Sequence, residues 1–355
     1  MIYSALLSTL ALMLAIALDM VIGDPESIPH PVQLMGKWIS FWENMILGPK
    51  EGHFAKGDET QVSKPDNIKK KELLGGFFMV LTLVVLCVGI AEGLLKLSRH
   101  FSVLIYFFLY LLMCWQILAA GSMSREANNV EKKLKEGDLK GARQALSRIV
   151  GRDTENLSEG EVISAAVESV AESTADGVIN PLFYLALFGP PGGFAFKGVN
   201  TVDSMAGYHN ERYEYFGKAG ARLDDILGFL PSRMAGVAIL ISGYICGLYK
   251  RGVKTLFEQW GRFRNLPSSP NAGQTEAAMA LVLGIELGGT AYYAGKEIQR
   301  PRLGVPGREP EIEDISRAIK LMYYAEALCL LFFLAITFMI GVWTFGTSVL
   351  WNVTQ

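Results

Sequence analysis

Charge is what this chain is short of. Only 19% of its 355 residues are Asp, Glu, Lys or Arg, against about a quarter in a soluble domain. The 33 basic and 35 acidic residues nearly cancel, leaving a net charge of −2. No basic stripe of the kind that grips nucleic acid is available, so a nucleic-acid partner is excluded. Cysteine is scarce too. Cys87, Cys114, Cys246 and Cys329 each stand alone in an apolar stretch, with no spacing for zinc or a disulfide framework, and are expected to be small core residues. A dinucleotide fingerprint and a Ser/His/Asp order are also missing. The stretch Gly289 to Glu297 resembles a phosphate loop but has one residue too many between its glycines, Glu297 where Ser or Thr is required, and an apolar, helical setting instead of a preceding strand. Any ATP must therefore bind without a Walker motif.

What is abundant is apolar sequence, at 50%, which excludes a disordered chain. A helix crossing about 30 Å of hydrocarbon needs about 20 apolar residues. Runs at 2–18, at 73–91, between His100 and Arg125, and from Ala327 onward meet that need. The first reads as a retained span and not a signal peptide, because no basic segment precedes it and Gly23-Asp24-Pro25 stands where a cleavage site would be. Three further segments are less regular. Residues 177–196 carry Asn180-Pro181 and Pro190-Pro191-Gly192-Gly193 and read as a broken or re-entrant helix. Residues 226–249 are apolar except for Arg233, and 277–295 carry Glu286. Basic residues gather in 19–72 and 125–152, which places the N-terminus outside and both polar loops in the cytoplasm. The stretches 250–264 and 296–320 are basic as well, so some middle segments are expected to dip in and return.

The fold class expected is therefore all-α: a polytopic integral membrane helical bundle forming a single membrane-embedded domain over 1–355. It carries a cytoplasmic helical insertion at 125–176 and a mobile polar loop at 48–72. Within the insertion, Val130 and Leu134 form one apolar stripe, and Leu139, Ala142, Leu146 and Ile149 another after Gly137-Asp138. Ser158-x-x-Glu161 is a capping box, with Leu157 and Val162 placed as its hydrophobic staple.

Polar residues cluster between the apolar runs. Glu168, Glu172 and Asp176 follow at i+4 steps and share a helix face. Like charges so spaced cost about 0.2–0.5 kcal/mol per pair, so the stripe is either a solvated face or the side of a cation site. Prolines at 25, 29 and 31 stiffen the ribbon that holds His30 beside Asp24; such a His is either structural or a general base. Asn200, Asp203 and Ser204 precede Asn210-Glu211-Arg212, and Arg222 precedes Asp224-Asp225, Ser232 and Arg233. Paired aspartates beside arginines can hold a metal and a phosphate together, or form an ordinary ion-pair cluster. Arg233 stands inside an apolar run, where charge is expensive. Ser269, Asn271 and Gly273 lead into a helix bearing Glu276; that start is either an anion site or only a cap.

The stretches DMVIGDPESIPHPVQLMG at 19–36, ESVAESTADGVINPLFY at 168–184, VNTVDSMAGYHNERYEYFG at 199–217, ARLDDILGFLPSR at 221–233 and SPNAGQTEAAMALVLG at 269–284 run in one order. Together they resemble the adenosylcobinamide-phosphate synthase family of cobalamin biosynthesis. The resemblance implies a reaction that joins a corrin propionate of adenosylcobyric acid to aminopropanol phosphate, with ATP consumed, through an acyl phosphate. It implies Mg2+ and ATP, a corrinoid and aminopropanol phosphate as partners, a lipid environment, and a site on the cytoplasmic face of the cell membrane. Self-association or association with other enzymes of the pathway is left open. On that footing Glu172, Asp176, Asp203, Asp224 and Asp225 are the magnesium candidates. His30 is the base with Asp24 orienting it, and Glu168 joins them as a catalytic candidate. Arg212, Arg222 and Arg233 would grip phosphates, while Asn180, Asn200, Asn210, Ser232, Ser269, Asn271 and Glu276 would hold substrate or nucleotide. Phe183, Tyr184, Phe194, Phe196, Tyr208 and Tyr215 would wall the corrin groove. The rival readings are a transporter, suggested by broken helices and by charge at Arg233 and Glu286, and a non-catalytic membrane sensor.

Overall fold

The computed structural model describes residues 2–25, 30–49, 64–208, 210–250 and 252–353, with side chains described between 6 and 335. Most of the polar loop expected at 48–72 lies outside the described residues. Its end, however, is helical. Residues from Asp66 onward already belong to the long helix α3, and Lys64 Nζ donates to Glu72 at 2.8 Å to hold that polar start.

Helix α1 (Ile2–Ile22) carries no charge before Asp19. α2 (Pro31–Leu47) starts on a proline, which loses nothing there because a first-turn N–H has no intrahelical partner. α3 (Asp66–Phe101) and α4 (Val103–Trp115) form a tight antiparallel pair turned at Ser102, whose hydroxyl accepts the Leu104 N–H. The third expected span is thus interrupted: α4 ends at Trp115, and the chain resumes after four residues as α5 (Ala120–Lys135). α6 (Leu139–Leu146) follows a turn in which Asp138 caps Gly141 at 2.8 Å. The two apolar stripes of the insertion are realised, with Val130, Ala142 and Leu146 fully buried.

The capping box at Ser158 and Glu161 opens α7 (Glu159–Ser173). A π-helical turn (Thr174–Ile179) then leads straight into α8 (Asn180–Ala206). α8 is broken as expected. At Gly189 the backbone turns to φ 64° and ψ −163°, a conformation that a Cβ would forbid, and Pro190-Pro191 restart the helix. α9 (Lys218–Ile245) packs on both α8 and α11. α10 (Val253–Phe263) is a short amphipathic helix that buries Leu256 and Trp260. α11 (Ala272–Leu283) has 12 residues, most of them buried, which is too short to span a bilayer.

The expectation of a helical segment over 277–295 fails here. Gly284 ends α11 in the left-handed region, and the chain becomes an antiparallel hairpin, β1 (Leu287–Tyr293) and β2 (Lys296–Leu303). A short apolar run reads equally as helix or strand, and the alternating burial of Leu287, Gly289 and Ala291 is what decides for strand. Glu286, expected inside the membrane, sits at the base of this hairpin paired with Arg302 at 2.6 Å. α12 (Glu313–Val353) closes the chain.

Four segments, Asp66–Phe101, Val103–Lys135, Lys218–Ile245 and Glu313–Ala335, are long and apolar enough to cross a membrane, and Leu6–Ile22 adds a shorter apolar helix. Their outer faces are apolar: Phe77, Phe78, Leu81 and Val85 on α3, Leu104, Ile105 and Phe108 on α4, and Ile226 and Phe229 on α9 are all exposed. Such a continuous band is unfavourable in water and is the expected surface of a lipid-embedded bundle. The fold is an all-α polytopic membrane bundle with one added hairpin. Of the cysteines, Cys114 and Cys329 are buried and Cys87 half-buried, but Cys246, just beyond α9, is exposed.

Candidate active site

The extra residue of a π turn rotates the downstream helix by about 100° relative to an uninterrupted α-helix, and such turns are frequent at functional sites. Here it follows Glu168 and Glu172, which remain on one face of regular α7, and takes only Asp176 off their line. Glu168 and Glu172 line the same cleft, Glu168 with its carboxylate in a buried cluster, and Asp176 is turned toward α8 and α9. Asn180 Nδ2 donates to Asp176 Oδ1 and to Ser232 Oγ, both at 3.1 Å, so α9 helps to fix the Asp176 carboxylate. Asn200 Nδ2 reaches Asp224 Oδ1 at 3.4 Å. Asp176, Asp203 and Asp224 lie within electrostatic reach of one another, and burial together with Asp224, Glu172 and Asp203 raises the Asp176 carboxyl well above the usual range. Glu172 is accessible from the cleft yet walled by protein on its other sides. That desolvation, with Glu168 and Asp203, raises its carboxyl against the pull of Arg300 and Arg152.

Among the described residues no three His, Cys, Asp or Glu side chains are gathered tightly enough to hold a metal ion by themselves. The donor set is nevertheless hard oxygen, and its members repel one another. It suits Mg2+, which takes one or two carboxylates and completes its octahedron with phosphate oxygens and water.

A second group lies where α1 meets α5. Asp19 Oδ2 accepts the Gly121 N–H at 3.1 Å, and Asp24 exchanges hydrogen bonds with Ser122, its N–H donating at 2.8 Å and its Oδ2 accepting at 3.1 Å. Arg125 donates to the Ile22 carbonyl. Contact at this crossing is so close that a Cβ on Gly121 would collide with the Asp19 carbonyl oxygen. Gly121→Ala is therefore expected to cost about 1–3 kcal/mol through overpacking and to lower both the unfolding temperature in detergent and turnover. Unchanged values of both would show that the crossing does not position the site.

His30 lies beside Asp24, Nε2 to Oδ1 at 3.8 Å. Its Nδ1 accepts the Val32 N–H at 3.3 Å as the cap of α2, which leaves the proton on Nε2. Burial lowers the ring below its ordinary pKa of 6.5 although Asp24 opposes this. The ring is thus neutral near pH 7 but presents an N–H, not a lone pair, toward Asp24. A base role would require the cap to open.

The third group was invisible as a group in the sequence. Glu168, 3% exposed, accepts from Arg152 and from Arg300 (2.6 Å), and from the Gly288 N–H at 2.6 Å. Arg300 also reaches Glu276 at 3.2 Å. Burial would raise Glu168, but Arg300 and Arg152 outweigh it and hold the carboxyl below its usual range. Glu276 shows the opposite balance: burial, with Glu168 and Glu172, pushes it up to about 8 against Arg300. Asp153 accepts from the hairpin tip, Ala294 N–H at 3.1 Å and Gly295 N–H at 2.7 Å. The hairpin is thus clamped onto α7, roofing a cleft of about 520 Å³ lined by Arg152, Glu172, Ser269, Glu276, Tyr293 and Arg300 among others. Glu168 and Glu276, expected as catalytic and substrate-binding residues, are buried and paired with Arg300, and both also line the cleft. Arg152 and Arg300 were missed because only the hairpin brings position 300 to position 168.

The remaining expectations divide by helix face. On α9, Asp224, Gly228 and Ser232 form the buried inner stripe. Arg222, Asp225, Phe229 and Arg233 follow at i+3 and i+4 on another face: Arg222 is largely exposed and lies 4.0 Å from Asp225, while Arg233 stacks over Phe229 at 3.5 Å and donates to its carbonyl. Arg212 holds Glu43 at 2.9 Å and the Gly48 carbonyl at 2.8 Å, and Asn210 accepts the Tyr213 N–H. The back half of that motif therefore fastens a loop to α2. Ser269 accepts the N–H groups of Asn271 and Ala272 at the start of α11, while Asn271 Nδ2 donates to the Asp225 carbonyl at 3.1 Å; both residues tie α11 to its surroundings. Phe194 and Phe196 are core, with Tyr184 stacked on Phe196 at 5.2 Å, so neither Phe walls a groove. Phe183 packs edge-on against Phe333, Tyr215 lies under Lys69, and Tyr208 is exposed.

A membrane bundle that turns carboxylates and amides from four separate stretches toward one interior region is an integral membrane protein with a polar interior. The chain belongs to the CobD/CbiB family, whose model, described as CobD/Cbib protein, matches residues 12–322. It is 38% identical over 329 residues to the cobalamin biosynthesis protein CbiB of Salmonella typhi, covering 93% of this chain and 97% of that one. Over 322 residues it is 39% identical to the cobalamin biosynthesis protein CobD of Clostridium tetani, with 91% and 95% covered. The CobD of Geobacter metallireducens is 39% identical over 321 residues, with 90% and 93% covered. No solved structure matches.

Proposed function

We propose that this protein is a cobalamin biosynthesis enzyme that forms the amide bond between a corrin propionate and aminopropanol phosphate, consuming ATP, on the cytoplasmic face of the cell membrane. The observation that supports it most is the meeting of Asp176, Asp203 and Asp224, with Asn180 and Asn200, from three of the stretches that resemble the synthase family. A carboxylate is a poor electrophile, and phosphorylation by ATP gives the amine a leaving group to displace. Magnesium supplies charge neutralisation of the phosphoryl oxygens when bound; Asp203 and Asp224 are the residues to hold it.

The attacking amine must lose a proton to a group near neutral pKa. Asp176, whose carboxyl is raised and whose Oδ1 is fixed by Asn180, suits that better than His30, whose lone pair caps α2. Asp24 then orients His30 within the wall of the site. The transporter reading loses one of its two intramembrane charges, since Glu286 belongs to the hairpin, while Arg233 stays in α9 on its outer stripe, stacked over Phe229.

Purified protein mixed with cobyric acid, aminopropanol phosphate and Mg-ATP is expected to give cobinamide phosphate, seen by mass spectrometry, with one ADP per amide. Corrinoid uptake into vesicles without amide formation would favour the transporter and overturn the reading.

A further inference from the structure

The arginines expected to grip phosphate are engaged elsewhere. Arg212 is spent on Glu43 and the Gly48 carbonyl, and Arg222 and Arg233 lie on the outer stripe of α9. Arg152 and Arg300 are locked onto Glu168, Arg300 also onto Glu276. Arg264 stacks over Trp260, and among the described residues Lys197 is the cation within electrostatic reach of Asp24, Asp176 and Asp19 together. Lys197, on the second half of the broken helix α8, lies one turn before Asn200 and two turns before Asp203 and Ser204. Its ammonium acts in turn on His30. None of those carboxylates closes onto it as an ion pair, and among the described residues its amine has no hydrogen-bond partner.

We propose that Lys197 is the phosphoryl-binding cation of this site, receiving a phosphoryl group of the nucleotide or of aminopropanol phosphate between Asp24 and Asp176. The inference rests on the function proposed above, and it identifies the partner of the acids there. A lysine that served only as their counter-charge would gain most by pairing with one of them directly, because a half-buried charge is costly unless its partner is close. Lys197 lies within reach of three of them and closes on none. A compact ammonium with three donors is a point-charge binder of phosphate. In a Mg-nucleotide complex the division of labour follows from charge: carboxylates take the metal and the lysine takes phosphoryl oxygens. Beyond the break at Gly189, one helical turn sets this lysine beside Asn200.

The test uses full-length protein in detergent, with inorganic tripolyphosphate as the probe in calorimetric titration, for wild type, Lys197→Met, Lys197→Gln and Lys197→Arg. Losing a charge-assisted contact is expected to weaken tripolyphosphate binding at least about tenfold in the Met and Gln variants, with partial recovery in the Arg variant. Corrinoid affinity is expected to stay unchanged. If the nucleotide is the ligand, the KM for ATP rises. If aminopropanol phosphate is the ligand, its advantage over free aminopropanol disappears while the KM for ATP holds. A counter-charge role predicts instead a lower unfolding temperature with tripolyphosphate binding intact, and that result overturns the proposal. Should the Met variant fail to fold, the Gln variant decides by the same titration. If wild type makes no amide yet tripolyphosphate binding depends on Lys197, the lysine site stands and the reaction falls; amide formation with binding unaffected by the substitutions gives the reverse.

Discussion

Asp203→Asn and Asp224→Asn are each expected to lower turnover by about 100-fold or more, the scale on which removing one preorganised electrostatic contact acts, while the protein stays folded. Both carboxylates lie within electrostatic reach of Asp176, where they raise its proton affinity by repulsion. Removing one relieves that repulsion, so the Asn variants are expected to unfold at a temperature equal to or above wild type. Activity falls as stability holds or rises, which is the mark of a functional site and not of a structural one. The pH dependence has a definite sign. Asp176 binds its proton more tightly folded than unfolded, so without metal this site loses stability as pH rises from the ordinary carboxylate range through the raised value. Magnesium should flatten that slope. Turnover of either variant equal to wild type at limiting magnesium would remove the metal assignment.

Glu168→Gln is expected to destabilise the fold strongly, by about 3–5 kcal/mol, because it leaves Arg152 and Arg300 in a buried setting without their counter-charge. The hairpin is held to α7 through the same carboxylate, so limited proteolysis within 287–303 should accelerate along with the fall in unfolding temperature. Glu276→Gln provides the contrast. Its carboxyl is pushed up to about 8, so at pH 7 it is mostly protonated, and the amide is close in shape and charge to what it replaces. That variant should be nearly neutral at pH 7, although both residues touch Arg300. The reverse order of the two effects would show that Glu276, not Glu168, carries the charge of the cluster.

Much of the site was legible because its residues sit at spacings with a local meaning. Ser158 and Glu161 cap α7 because a box at that spacing satisfies orphan N–H groups. The prolines and glycines near 190 break α8 because the backbone at Gly189 adopts a conformation closed to other residues. Acid on Glu172, Asp176, Asp203 and Asp224 could be noticed for its density alone. Lys197 carried a readable signal, a lone charge beside an apolar run, that the stronger pull of the arginines hid. Arg300 carried none. Its meaning depends on a hairpin whose alternation of burial appears only once α11 has ended and β1 lies against α7.

The amino-acid sequence by itself determined that this protein lives in a bilayer, where α7 begins and α8 breaks, and which oxygen-bearing side chains are concentrated between the apolar runs, because apolar run length, capping and backbone strain are local properties. Tertiary structure alone decided which charges meet. The π turn rotated Asp176 away from Glu168, α9 divided its arginines and aspartates between an inner and an outer stripe, and the hairpin delivered Arg300 to an acid far along the chain. Coulomb attraction and desolvation depend on distance in space, and along the polypeptide that distance is not written.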